Sequence, residues 1–104
     1  MTAVTLYAVF ADMAEAQRIG RQMVEEKLAA CVNILQPCRS IYRWDGAIET
    51  ASEVPALFKT TMDGADRLIE RIVELHSYSV PALAVWPIAK LPAAYGDWVE
   101  GSVS

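Results

Sequence analysis

The chain has 104 residues, of which 54% are hydrophobic and 21% charged, with a formal net charge of −4. That length predicts a single domain over residues 1–104. An acidic balance with no basic run excludes a general nucleic-acid binder, and no segment approaches the length of a membrane-crossing helix.

The first residues lack a cationic start and a sustained apolar core, so they do not read as a secretory signal. With only Cys31 and Cys38 as thiols, the expectation is a cytoplasmic protein with free cysteines. A bridge between them is disfavoured, because one extended strand would hold them too far apart. So apolar a chain, this short, predicts apolar area turned toward another subunit.

Residues 4–10 are β-branched and aromatic and predict a strand. Asp12 followed by Glu15 has the spacing of a capping box that opens a helix. Ala16, Ile19, Met23 and Val24 fall on its apolar face, with Glu15, Arg18, Arg21, Gln22 and Glu25 elsewhere. Gly20 lies on the inner face, where it permits close approach to a sheet, and Lys27 sits near the negative end of the helix dipole.

Residues 31–44 predict a second strand, with a bulge or an edge position at Pro37, which cannot donate a ladder hydrogen bond. Asp45-Gly46 is a strong hairpin signal. Residues 47–60 return as a third strand, with Pro55 as a second interruption. Two long strands with matching breaks predict a bent ribbon extending beyond the sheet, with edges that need a partner. Asp63 is the expected cap of a second helix, whose face is Ala65, Leu68, Ile69, Ile72, Val73 and His76. Residues 78–81 turn, residues 82–88 form a last strand, and residues 92–101 form a short terminal helix.

The order is β-α-β-β-α-β plus a terminal element. It predicts an α+β, ferredoxin-like fold with an antiparallel sheet, an extended bent β-hairpin and both main helices on one face. The other face has no cover large enough within the chain, and self-association solves that problem.

KLAACVNI, SIYRWDGAIE, the stretch from Glu53 ending in Lys59-Thr60, HSYSVPALAV and YGDWV follow one another in this chain. In that order and spacing the sequence resembles the CutA family of divalent-cation tolerance proteins nearly end to end. The family pattern His-Pro-Tyr-Glu-Val-Pro-Glu is altered here: Ser77 replaces the proline, and Ser79 and Ala82 replace the two glutamates. The resemblance implies a tight homotrimer built like PII signalling proteins, clefts between subunits near the cysteine, and association with copper and other divalent metals. It implies a binding or structural protein, not an enzyme with an agreed reaction.

Cys31 is either a thiolate ligand for a soft ion such as copper or a small packed strand residue. His76, the only histidine, is either a metal ligand at a junction or a packed group at a helix C-terminus. No CxxC, HxxxH or HxxE pair supplies a metal site within the chain. Without the two loop carboxylates, hard divalent ions should bind less well than in a typical relative.

Glu53 and Lys59 share a strand face by parity. They are candidates for a cleft ion pair or a small-anion site, against a solvated face. Tyr78 in the altered loop is a further cleft candidate, with core or interface as its alternative. Tyr42 and Trp44 share a face and are candidate anchors of the trimer interface. No phosphate-binding glycine motif is present, and a Ser-His triad would rest wholly on His76. A trimeric scaffold or small-ligand signalling module without a metal role stands as the rival reading.

Overall fold

The computed structural model describes residues 2–104. Strand β1 (Ala3–Phe10) leads to helix α1 (Met13–Glu25). Strands β2 (Cys31–Ile34), β3 (Cys38–Trp44) and β4 (Ala47–Thr61) follow. Helix α2 (Ala65–Leu75), strand β5 (Leu83–Pro87) and helix α3 (Ala93–Ser102) complete the chain. The sheet order is β2-β4-β1-β5 with every neighbour antiparallel, and β3 pairs with the first half of β4. This is the ferredoxin-like arrangement.

Strand parity sorts β1 and β4 onto two faces. Leu6, Ala8 and Phe10 of β1, with Val54, Ala56 and Phe58 of β4, turn toward the helices. There they close a core with Ala16, Ile19 and Met23 of α1 and Leu68 and Ile72 of α2. Gly20 brings α1 close to the sheet: a Cβ there would lie 3.1 Å from Val32 Cγ1. The helix faces are narrower than the sequence periodicity implies, since Val24 and Val73 are exposed.

The capping box forms. Asp12 Oδ1 accepts from the Glu15 N–H at 2.8 Å, and Glu15 Oε1 accepts from the Ala11 N–H at 2.9 Å. Lys27 adopts a left-handed backbone, φ 62°. The Lys27 and Leu28 N–H groups bond back to the Val24 and Met23 carbonyls, which is a Schellman motif with lysine where glycine is usual. Lys27 is thus a helix terminator rather than a charge in the last turn.

Asp63 does not cap α2. The cap position is Gly64, whose N–H is taken by Thr61 Oγ1 at 3.1 Å. That hydroxyl braces the turn into α2 but does not cap it, since the helix has no side-chain cap hydrogen bond.

Pro37 lies in a bulge. Ile34 faces Ala56 and Cys38 faces Glu53, so Leu35, Gln36 and Pro37 oppose only Val54 and Pro55. One extra residue reverses the parity of the strand. Pro55, in contrast, does not interrupt β4. Its carbonyl accepts from the Leu35 N–H at 3.0 Å, so its missing N–H faces the bulge, where the ladder is already broken.

Beyond the bulge, β3 and β4 run on as a two-stranded ribbon closed by Asp45 and Gly46, with φ of 50° and 78°. Both positive values mark a type I′ turn. The ribbon stretches the molecule to 45 × 26 × 23 Å, and residues 41–50 are all exposed.

The face away from α1 and α2 is only partly covered. Val99 of α3 packs fully buried over Ala3 and Ala30, with Ile88, Leu91, Tyr95 and Val103 around it. Farther along, Tyr7 stacks on Trp86 at 5.0 Å, and Trp86 is still 48% exposed.

Candidate functional site

The bulge has a functional consequence. By reversing parity it turns Ser40, Tyr42 and Trp44 of β3 onto the same face as Glu49 and Glu53 of β4. That face continues through Pro55 and across the register to Val9 and Tyr7 of β1. The loop after α2 closes the side. Together they form an open cavity of about 540 Å³ lined by Tyr7, Val9, Ser40, Tyr42, Trp44, Glu49, Glu53, Tyr78, Ser79, Val80 and Ala82.

Glu53 lies against the wall of this cavity and is 8% exposed. Its Oε2 accepts a hydrogen bond from the Tyr78 hydroxyl at 2.7 Å. Burial, together with the Glu53 carboxylate, raises the Tyr78 pKa well above the usual phenol value, so Tyr78 is a neutral donor at any physiological pH.

His76 fastens the loop. Its Nδ1 accepts from the Tyr78 N–H at 3.0 Å, so Nε2 carries the proton and donates to the Val9 carbonyl at 2.7 Å. The ring stacks on Phe10 at 5.1 Å and meets Tyr78 at 4.9 Å. Both nitrogens are engaged, which leaves His76 no lone pair for a metal in this arrangement. A second fastening comes from Glu15, whose Oε2 accepts from the Ser77 N–H at 2.9 Å. Burial alone would raise the Glu15 pKa. The Ser77 hydroxyl, the Ala11 and Ser77 N–H groups and nearby His76 outweigh it and hold the pKa below the usual glutamate value.

Cys31 lies at the other end of the sheet. It pairs with Lys59 on edge strand β2, whereas His76 bonds Val9, which faces Pro55. Four residues of β4, about 13 Å of strand, separate those positions. The Cys31 Sγ is 3.9 Å from the Tyr95 hydroxyl, whose pKa is raised by burial and by that thiol. Lys59 donates to Asn33 Oδ1 at 3.2 Å. Glu53 and Lys59 therefore share a face and have different partners within one chain. Both cysteines are free.

Among the described residues no group of three or more His, Cys, Asp or Glu side chains could hold a metal ion.

Sequence reasoning missed Tyr7, Val9 and Glu49 as cavity walls and Glu15 as the fastening of the loop. The odd-numbered positions of β1 carried the signal for the first two. Tyr42 and Trp44 line the cavity and remain 41% and 50% exposed.

The chain thus combines a ferredoxin-like sheet with one face half bare, a ribbon reaching past it and an acidic, aromatic cavity at the ribbon's root. The CutA1 divalent ion tolerance model matches residues 4–102. The CutA divalent-cation tolerance protein of Thermus thermophilus is 44% identical over 82% of this chain and 82% of its own length. That of Thermococcus kodakarensis is 37% identical over 95% of this chain and 94% of its own. The crystal structure of CutA1 from Oryza sativa superposes with a TM-score of 0.97 at 30% identity, covering 100% of this chain and 95% of that one. The periplasmic CutA of Archaeoglobus fulgidus gives 0.95 at 32% identity, over 98% and 99%. The chain belongs to the CutA1 divalent ion tolerance family.

Proposed function

We propose that this chain acts in divalent-cation tolerance as a homotrimer whose ligand sites lie in clefts between copies. The observation that carries the reading is the bare half of the sheet beside a protruding ribbon. Ile41 and Ile48 are 69% and 61% exposed on one side of the ribbon, and Trp44 and Trp86 are half exposed on the cavity side. Apolar surface of that kind is stable in water when another copy covers it. The two ribbon faces differ in chemistry, which suits a head-to-tail contact that closes into a ring. The count of three comes from the family resemblance.

For a metal, Cys31 is the proposed ligand. It is half-buried on an edge strand, and its thiolate would suit copper better than a hard ion. The remaining ligands would come from another copy, because one chain supplies too few. His76 is proposed as a structural residue of the loop. The free thiols suit a reducing compartment such as the cytoplasm.

Titration with copper(I) under reducing conditions tests this on wild type, Cys31→Ser and His76→Ala. The reading expects loss of binding in Cys31→Ser and retention in His76→Ala. Equal binding by all three removes Cys31 from the site. A second reading has specific support in the engaged nitrogens of His76 and the absent loop carboxylates: an assembled module for a small ligand, with no metal role. It expects no saturable copper binding by any of the three.

A further inference from the structure

We propose that the cavity at the root of the ribbon is a binding site for a guanidinium group. This goes beyond the metal reading, because the ligand is an organic cation met by carboxylates and aromatic rings and not by a thiolate.

Four of the lining side chains are aromatic: Tyr7, Tyr42, Trp44 and Tyr78. Two are carboxylic, Glu49 and Glu53, and no lysine or arginine lines the space. Aromatic faces carry negative charge density and attract cations, tryptophan most strongly. A carboxylate that is nearly buried, as Glu53 is, gains most from a partner of opposite charge. The cavity, at about 540 Å³, is far larger than a bare ion and within the range of small-molecule sites. Among the described residues no group of three His, Cys, Asp or Glu gathers here, and two carboxylates beside aromatic rings complement a planar cation. A guanidinium both stacks on an aromatic ring and offers a fork of N–H donors to a carboxylate. Glu53 Oε2 already receives the Tyr78 hydroxyl, which fixes the carboxylate and aims it.

Two sources carry this group. One is a free small molecule. The other is Arg39 or Arg43, which are exposed and alternate with Tyr42 and Trp44 on the far face of another copy's ribbon.

The test is calorimetric titration with methylguanidinium, with methylurea as the neutral isostere and methylammonium as a cation that cannot stack as a plane. Tryptophan fluorescence and light scattering are read on the same samples. Wild type should bind methylguanidinium about tenfold more tightly than either control. Glu53→Gln keeps an acceptor for Tyr78 and should weaken methylguanidinium by about tenfold. Trp44→Leu, on the exposed ribbon, should weaken it several-fold.

In the Arg39→Gln/Arg43→Gln double variant, tighter binding assigns the natural occupant to a neighbour's ribbon. Unchanged binding assigns it to a free molecule, and either result supports the site. Equal affinity for the three probes, an unaffected Glu53→Gln or a non-saturable response that persists in the Arg39→Gln/Arg43→Gln variant overturns the proposal. Such a failure in protein that light scattering shows to be assembled overturns this inference alone and leaves the trimer standing.

Discussion

Replacing His76 with alanine removes two hydrogen bonds and a ring packed between Phe10 and Tyr78. The buried Val9 carbonyl is left without its donor, so the cost should be about 2–4 kcal/mol, read by urea unfolding. A loss below about 0.5 kcal/mol would mean the loop is not held by this ring. Glu15 gives a pH signature. Its folded pKa is lowered from 4.5, so the unfolded chain binds more protons between the two pKa values and stability rises with pH there. The contribution is complete above the unfolded value and disappears as pH falls through the folded one. Glu15→Gln should therefore flatten the acid limb of stability below about pH 4.5, and an unchanged limb would contradict the fastening. Neither role was legible in the sequence beyond its local half. The capping box announces Glu15 toward Asp12, but its bond to Ser77 spans 62 positions, and no spacing rule reaches that far.

Whole elements were more legible than their ends. The strand and helix order, the Asp45-Gly46 turn and the break at Pro37 all follow from local residue chemistry, because turn geometry and the missing proline N–H act within a few residues. The errors lie where two elements meet. Pro55 looked like an interruption until its nitrogen was seen to face the bulge, and Asp63 looked like a cap, whereas the cap position falls on Gly64 with no side-chain cap bond. Two substitutions test the termini. Lys27 is held at φ 62°, so Lys27→Gly should stabilise the protein by about 1 kcal/mol in urea unfolding. A destabilisation would show that the lysine side chain matters more than the backbone strain. Gly46 sits at φ 78° with open space around it. Gly46→Val should cost about 1–2 kcal/mol through backbone strain alone, and no cost would argue against a type I′ turn.

At the scale of the molecule, the antiparallel fold and its open side were legible from element order, since the split βαβ arrangement puts both main helices on one face of the sheet. The cavity was not. It exists because a single extra residue at the bulge reverses strand parity, and sequence alone does not reveal which side of a proline the partner strand will shorten. The bare face and the ribbon make association the central claim. Unfolding temperature should rise with protein concentration, as it does when folding and assembly are linked. Ile41→Ser combined with Ile48→Ser should weaken assembly, because both side chains are largely exposed in the single chain. The most direct measurement is the mass in solution by light scattering at micromolar concentration. The account predicts three times the 11.4 kDa chain mass; a folded, soluble species at the mass of one chain would contradict it.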